Sequence, residues 1–382
     1  MSKTPRRSWQ ETTLGKVLTL QRGFDITKAQ QHPGPYRVIS SSGTQSTHAE
    51  YKVMGPGVVI GRKGTLGSVY FSKEPFWPHD TTLWVKDFHG NDEKFAYYFL
   101  QTLHLGRYDA GASNPTINRN HIHLLPVVCP PLPTQRRIAA ILSAYDDLIE
   151  NNARRIKILE EMARLLYREW FVHFRFPWHE GVRMLDGVPE GWEVKTFGEV
   201  SLNFDSKRKP LSSLQRATMQ GEYPYYGAAK VLDYINDYIF DGEYLLVAED
   251  GSVITPPGNP VLQLVDCRFW PNNHTHVIQG KPPVSTQFLY LSLSGLSISG
   301  YITGAAQPKI TQASLNRIPV LVPADTGLLS QFDEIARNML TRVKVLEREN
   351  ANLRWTRDLL LPRLVAGELD VSDVDIVGVL SP

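Results

Sequence analysis

The chain has 382 residues, which is more than one ordinary domain core and predicts two or three domains of a folded protein with 42% hydrophobic and 21% charged residues. No apolar run could cross a bilayer and residues 1–13 lack the apolar core of a secretory signal, so we expect a cytoplasmic protein without a membrane partner. With a net charge of +2, any contact with DNA would depend on local basic patches. The two cysteines, Cys129 and Cys267, are too few for a disulfide framework and do not have the spacing of paired metal ligands.

The first globular segment is expected to span residues 1–133 and to be dominated by β-strands. Short apolar runs such as residues 58–60 are separated by Gly and Pro turn signals. One short helix is expected near residues 93–105. The segment is therefore predicted to be mixed and rich in sheet.

Residues 134–176 have the pattern of a long helix. Thr134 follows Pro133 and is expected to be its N-cap. Apolar residues then recur at alternating steps of four and three, which indicates a coiled coil rather than a globular surface helix. A run of about 35 residues would span on the order of 50 Å. The seam residues are Ile138, Leu142, Tyr145, Ile149, Asn152, Ile156, Leu159, Ala163, Leu166 and Trp170.

Residues 177–324 repeat the first segment. The similarity is clearest at the start, in an aromatic segment and before each long helix. The matched stretches are SWQETTLGKV (8–17) with GWEVKTFGEV (191–200), VVIGRKGTLG (58–67) with LLVAEDGSVI (245–254), PFWPHDTT (75–82) with RFWPNNHT (268–275), and GASNPTINRNHIHLLPVVCPP (111–131) with GAAQPKITQASLNRIPVLVPA (304–324). The duplication predicts two domains with similar folds.

A second long helix is expected over residues 325–370, followed by a tail at 371–382. If the two helices are antiparallel, the spacing sets Asn152 opposite Asn350, and this polar pair would fix the register of the coiled coil. Pro362 is expected to kink the helix or end it early. The seam residues are Phe332, Ala336, Met339, Val343, Leu346, Asn350, Leu353, Arg357, Leu360 and Leu364.

Together these features predict an α+β fold, in which two similar sheet-dominated domains are separated by two long helices that form an antiparallel coiled coil in a pseudo-twofold internal repeat. The sequence resembles the Type I restriction-modification specificity subunits over nearly its whole length. The resemblance rests on the repeated start around Trp9 and Trp192, the Gly-rich turn at residues 62–67, residues 111–131, and PPLPTQRRIAAILSAYDDLIENN at residues 130–152. The second copy departs from that last string, with ADTGLLSQFDEIA at residues 324–336.

The resemblance implies that each copy is a target-recognition domain that reads one half of a split, asymmetric sequence in double-stranded DNA. It also implies two methyltransferase (modification) subunits that carry S-adenosylmethionine and methylate adenine. Where two restriction subunits join them, these use ATP and Mg to cleave DNA. The chain itself would have no catalytic residue, metal or cofactor, and the outward faces of its helices would help to dock the modification subunits. A stiff spacer also suits half-sites that lie roughly 34 Å apart on one face of DNA.

DNA contacts are expected from basic and amide side chains on exposed loops, because Arg and Lys suit guanine and phosphate while Asn and Gln suit adenine. The consecutive basic residues at 207–209 form the strongest patch, and we expect them to contact phosphate. The candidates are Arg22, Arg37, Arg62, Lys63, Asn118, Arg119 and Asn120 in the first copy, and Lys207, Arg208, Lys209, Lys230, Lys309 and Gln312 in the second.

Other interpretations of individual residues are weaker. A nuclease centre could be built from Asp80 with residues 92–94, but carboxylate and lysine residues at such spacings often occur by chance. No methyltransferase, dinucleotide or phosphate-loop motif is present. The histidine pairs at 121 and 123 and at 274 and 276 lack further metal ligands nearby in sequence. Trp9 and Trp192 are expected to pack in the core. The alternative functions are a free-standing sequence-specific DNA-binding regulator and a coiled-coil scaffold that does not bind DNA.

Overall fold

The computed structural model describes residues 9–109, 115–304 and 307–374. Ser8, residues 111–114 and residues 305–306 of the predicted repeat, and the predicted tail beyond residue 374, lie outside this part. The chain divides into two compact units. Unit 1 comprises residues 1–153 and 348–382, and unit 2 comprises residues 154–347. In the described residues, no helix has both the length and the apolar character needed to cross a membrane.

Unit 1 is built on two sheets and a separate strand pair. One sheet has the antiparallel order β2-β8-β5-β6, the other has the order β4-β3-β7 with β3 and β7 parallel, and β1 pairs with β9. The strands are β1 (Gln10–Thr13), β2 (Thr19–Arg22), β3 (Tyr36–Ser40), β4 (Gly43–His48), β5 (Gly57–Gly61), β6 (Val69–Ser72), β7 (Phe76–Pro78), β8 (Thr82–Asp87) and β9 (Pro126–Cys129). The helices are α1 (Leu14–Val17), α2 (Glu93–Thr102), α3 (Arg119–His123) and the first part of α4 (Leu132–Tyr167).

Unit 2 has the corresponding sheets β13-β19-β16-β17 and β15-β14-β18, the pair β12-β20, and an additional hairpin β10-β11. Its strands are β10 (Met184–Leu185), β11 (Val188–Pro189), β12 (Trp192–Thr196), β13 (Ser201–Asn203), β14 (Gln220–Tyr226), β15 (Val231–Ile235), β16 (Glu243–Ala248), β17 (Leu262–Asp266), β18 (Trp270–Pro271), β19 (Thr275–Gly280) and β20 (Pro319–Pro323). Its helices are α5 (Phe197–Val200), α6 (Ser213–Thr218), α7 (Thr286–Ser294), α8 (Gln312–Asn316), the last part of α4 and the first part of α9 (Thr326–Val365), whose last part belongs to unit 1.

Short helical turns complete both units. They are 3-10 turns at Lys28–Gln30, Leu105–Arg107, His179–Gly181, Asp205–Lys207 and Ser299–Tyr301, and a π turn at Arg168–Val172.

The order of elements confirms the duplication and the α+β fold class. In each unit a helix follows the strand that lies second in the four-stranded sheet, and a side-chain oxygen caps it in the same way. Asp92 accepts a hydrogen bond from Phe95 N at 2.8 Å before α2, and Ser285 accepts one from Phe288 N at 2.9 Å before α7. The predicted short helix near residues 93–105 corresponds to α2 and the turn after it.

Each unit has its own hydrophobic core between the four-stranded sheet and its helices. Val58 and Ile60 of β5 pack in the unit 1 core with Phe95 of α2, and Leu245 of β16 packs in the unit 2 core with Phe288 of α7. Trp9 and Trp192 pack against these cores, as predicted, and the Trp192 ring centroid lies 5.5 Å from that of Phe171. The tryptophans therefore act in packing.

The ends of the long helices differ from the prediction. α4 begins at Leu132, so Thr134 is not its N-cap, and Thr134 N donates to Pro131 O at 2.9 Å. Pro133 fits in this first turn because a backbone N–H is not needed there. α4 ends at Tyr167 and a π turn follows. Pro362 does not end α9, which continues to Val365, because so near the helix end its missing N–H removes only one late hydrogen bond.

In unit 1, the parts of α4 and α9 are antiparallel, because partners on α9 come earlier in the chain as those on α4 come later. Arg357 contacts Asp146 at 2.7 Å, Asn350 Nδ2 donates to Ile149 O at 3.3 Å, and Asn152 Nδ2 donates to Glu349 Oε2 at 3.3 Å. Both asparagines are buried. Each asparagine therefore bonds to the opposite helix, Asn350 to a backbone carbonyl and Asn152 to a glutamate side chain. Their role in fixing the register of the coiled coil stays a prediction.

In unit 2, Phe332 of α9 packs against the end of α4 and the π turn. Its ring centroid lies 6.1 Å from Tyr167, 5.9 Å from Trp170 and 4.9 Å from Phe171. None of the twenty predicted seam residues is exposed. The alternating spacing therefore identified the buried side of both helices.

Candidate nucleic-acid interface

A cavity of about 390 Å³ in unit 1 brings together four of the predicted DNA-contacting residues. Arg22 comes from the end of β2, Arg62 follows β5, and Asn118 and Arg119 stand at the start of α3. Leu83, Thr116 and Ile117 complete the lining. Among the described residues that line it, every charged side chain is an arginine.

Arg22 and Arg62 have different surroundings. Arg22 is more than half exposed and its Nη2 lies 2.9 Å from Asp80 Oδ2. Within the described part of the chain, Nη1 of Arg62 is buried and has no hydrogen-bond partner. Burial and the neighbouring Arg22 charge lower the pKa of Arg62, against a smaller opposite effect of Asp80. A buried donor without an acceptor costs roughly 1–3 kcal/mol, so an acceptor bound at this atom would be favourable.

The remaining unit 1 candidates are more dispersed. Lys63 lies beside the cavity, where its backbone forms an isolated bridge with Thr116. Asn118 accepts a hydrogen bond from Asn120 N at 3.0 Å and so caps α3 with its side-chain oxygen. Arg37 is exposed on β3, and no contact joins it to the cavity residues in the described structure. Asn120 is exposed on α3.

Unit 2 places a compact ion-pair cluster around Glu249, directly after β16. Arg208 Nη1 lies 2.7 Å from Glu249 Oε2, and Lys309 Nζ lies 3.0 Å from Glu249 Oε1. Burial raises the pKa of Glu249, but the bonds from Arg208 and Lys309 outweigh it, and the net pKa is below its ordinary value. Two predicted DNA-contacting residues are therefore engaged by a carboxylate of their own unit.

Buried His276 links this cluster to Asp205. His276 Nε2 lies 3.0 Å from the carbonyl oxygen of Ile310, which can only accept, and Nδ1 lies 2.5 Å from Asp205 Oδ2. Val277 N also donates to Asp205 Oδ1 at 2.8 Å. Burial raises the pKa of Asp205, but these bonds and the His276 charge outweigh it, so the pKa lies below its ordinary value.

Arg62 and Glu249 occupy the same backbone position in the two units. Arg62 N donates to Thr81 O at 2.9 Å, and Glu249 N donates to His274 O at 2.9 Å. Arg62 O accepts from Ile117 N at 3.0 Å, and Glu249 O accepts from Ile310 N at 2.9 Å. The sequence repeat also matches Thr81 with His274. The same two backbone hydrogen bonds form this frame in both units, whereas the side chain that it holds is positively charged in unit 1 and negatively charged in unit 2.

The other unit 2 candidates lie apart from the ion-pair cluster. Lys207 is exposed with Nζ 5.2 Å from the centre of the Phe204 ring, and Lys209 is exposed beside it. Lys230 is exposed in the turn between β14 and β15, where its carbonyl accepts from Gly227 N. Gln312 is exposed at the first position of α8.

Sequence reasoning missed Asp205 and Glu249 and treated His276 as an ordinary strand or loop histidine. Ligand atoms of these three residues lie within 4.8 Å of one another, as do those of Asp25, His79 and Asp80 in unit 1. Arg208 and Lys309 already supply positive charge to the unit 2 carboxylates, so we interpret that group as an ion-pair network. The sequence held one indication of this network, because His276 stands where the first copy has the apolar Leu83.

Asp92, which belonged to the nuclease interpretation, caps α2 and therefore has a structural role.

The long helices also expose apolar side chains. On α4 and the following π turn in unit 2, these residues recur at helical spacing, and in unit 1 Trp355 of α9 is 67% exposed. The exposed set is Ile158, Met162, Leu165, Val172 and, on α9, Ile335 in unit 2, and Leu148, Trp355 and Leu359 in unit 1. Isolated apolar side chains are common on surfaces, but a run along one helix indicates a contact surface.

Two similar sheet-dominated units and two long helices define a chain built from an internal duplication, with a basic cavity in one copy. Residues 6–161 and residues 189–340 each match the Type I restriction modification DNA specificity domain. The chain therefore belongs to the family of Type I restriction-modification DNA specificity proteins, as its sequence predicted.

Individual relatives agree with this assignment. A putative type I restriction enzyme specificity subunit of Haemophilus influenzae, S.HindORF215P, is 36% identical over 37% of this chain and 35% of its own length. The MjaIX specificity subunit of Methanocaldococcus jannaschii is 23% identical over 83% of this chain and 78% of its own length. The crystal structure of the S subunit from M. genitalium has a similar fold, with a TM-score of 0.66 at 18% identity over 95% of this chain and 98% of that one.

Proposed function

We propose that this chain is the DNA-reading subunit of a Type I restriction-modification complex. Each unit would read one half of a bipartite, asymmetric target in double-stranded DNA. The observation that carries the proposal is the presence of two specificity domains, residues 6–161 and 189–340, in one chain. Their different charge at the equivalent positions Arg62 and Glu249 supports two different half-sites.

The long helices would set the gap between the half-sites and dock two modification subunits. The exposed apolar side chains along α4 support a protein contact there, since burying them would contribute free energy in proportion to area. The modification subunits would bind S-adenosylmethionine and methylate adenine. Restriction subunits with ATP and Mg would add DNA cleavage, while this chain would supply recognition and no catalysis.

The decisive experiment is to co-express the chain with a cognate modification subunit and map methylated adenines across a genome. We expect one split motif with a fixed gap. Scattered or absent methylation would refute the proposal. Specific DNA binding by the isolated chain, at the affinity of the complex, would instead favour a free-standing regulator.

Docking is tested with neighbouring substitutions on α4. Ile158→Glu places a charge on the exposed apolar side chain and should abolish co-purification of the modification subunit. Lys157→Glu changes an adjacent exposed residue and should leave co-purification intact. Equal behaviour of the two variants would place the docking surface elsewhere.

A further inference from the structure

We propose that Arg22, Arg62 and Arg119 form a binding site in unit 1 for one tetrahedral phosphate, and that the occupant is a phosphate of the DNA backbone. This inference rests on the proposed function and deepens it. The unit 2 equivalent would not bind phosphate, so the two copies would grip DNA by different means.

The composition of the cavity is the first support. Three guanidinium groups line a space of about 390 Å³, and its other lining residues are uncharged. Asp80 pairs with Arg22 from outside the lining, and Asp25 stands within 4.8 Å of Asp80. Asp80 thus forms its ion pair with Arg22 and has a weaker effect on Arg62, and among the described residues neither Arg62 nor Arg119 forms an ion pair. Guanidinium groups match phosphate oxygens in geometry and charge.

Arg62 gives the second support. Its buried Nη1 is without a hydrogen-bond partner in the part of the chain that the structure describes. The backbone of the same residue is fixed at both ends, by Thr81 O and by Ile117 N. The backbone of Arg62 is therefore anchored, and its guanidinium lines the cavity with one donor that has no acceptor.

The second copy supplies an internal comparison. At the position of Arg62 it has Glu249, which is neutralised by Arg208 and Lys309. At the position of Thr116 it has Lys309 itself. A phosphate would meet the Glu249 carboxylate and two cations that already have partners. The same frame therefore favours an anion in unit 1 and disfavours it in unit 2.

The test uses the full chain in complex with its modification subunit and a DNA duplex that contains the methylated target. Arg62→Gln and Arg119→Gln are compared with Lys86→Gln, which removes an exposed charge from β8. Each arginine variant should weaken binding about tenfold and reduce the slope of log affinity against log salt by roughly one, because one phosphate contact is lost. The methylated sequence should stay the same. Lys86→Gln should change neither affinity nor slope by a comparable amount.

The possible results separate the hypotheses. An unchanged slope in both arginine variants would overturn the proposal, and so would an altered target base, which would indicate base reading. At equal ionic strength, inorganic phosphate should inhibit DNA binding by the wild type more than by Arg62→Gln. If phosphate stabilises the wild type against heat but the DNA slopes are unchanged, the site holds free phosphate and its assignment to DNA is wrong. Absence of methylation with the wild type would refute the proposed function itself.

Discussion

Asp146 of α4 should be a main source of stability where the two long helices meet in unit 1. Its carboxylate accepts from Tyr98 Oη at 2.5 Å and from Arg357 Nη1 at 2.7 Å, so it joins α2, α4 and α9. The side chains of Asp146 and Arg357 are only 22% and 26% exposed. Burial and the bond to Asp146 also raise the pKa of the Tyr98 hydroxyl.

Asp146→Ala would leave the Tyr98 hydroxyl and Nη1 of Arg357 without their acceptor, while Nε and Nη2 of Arg357 would keep Asp358. Hydrogen bonds to a buried charged group contribute about 1.5–3 kcal/mol each, and partial exposure lets water replace some of this, so we expect a loss of about 2 kcal/mol. That corresponds to roughly a thirtyfold increase in the opening equilibrium. The neighbouring Asp147 is 65% exposed and reaches Lys73 only at 4.0 Å, so Asp147→Ala should cost roughly 0–0.5 kcal/mol.

Hydrogen exchange of backbone amides measures this difference locally. In Asp146→Ala, amides of α4 before residue 153 and of α9 after residue 348 should exchange faster, while those of unit 2 should change little. The matched Asp147→Ala variant provides the control. Equal effects of the two substitutions, or a loss of protection confined to unit 2, would contradict this account of the network.

Three further outcomes follow from buried polar groups. Gln135→Ala removes the side-chain amide that accepts from Asp92 N at 2.9 Å and donates to Pro130 O at 2.8 Å, so the thermal midpoint of unit 1 should fall with a loss of about 2 kcal/mol, and an unchanged midpoint would exclude this role. The pKa of Asp205 is lowered in the fold from its ordinary 3.8, so the stabilisation it provides is present above that value and is lost as the pH falls below it. Asp205→Asn should therefore reduce the dependence of unit 2 stability on pH between about pH 5 and 2. The same dependence in the variant and the wild type would refute the linkage. Burial raises the pKa of Cys129 to about 11, so iodoacetamide at pH 8 should label this thiol only after unfolding, and labelling in the native protein would contradict its burial.

Much of the fold could be predicted because it depends on local and periodic signals. The repeated segments predicted two similar units, and the alternating spacing identified the buried face of each helix. The helix ends were less predictable. Thr134 had the chemistry of an N-cap, but the residues around Pro131 continue the helical path two residues earlier, which only the backbone geometry reveals.

The site could be predicted only in part, because its meaning depends on long-range contacts. Residue type identified Arg22, Arg62 and Arg119 as basic candidates, but only the fold brings them to one cavity. Residue type gave the same weight to Lys309, which the fold pairs with Glu249 from a distant strand. A sequence shows which residues are charged, whereas tertiary structure decides which charges remain available to a ligand.

The backbone frame shared by Arg62 and Glu249 has an implication for how such a chain can diversify. In both units the residue at this position is held by its amide and carbonyl groups, which every amino acid except proline provides. The side chain is therefore not needed for the backbone hydrogen bonds that this residue forms. A change of side chain there can therefore alter the local charge while the backbone hydrogen bonds are kept, as the arginine of unit 1 and the glutamate of unit 2 illustrate, although in unit 2 the glutamate also depends on its partners Arg208 and Lys309.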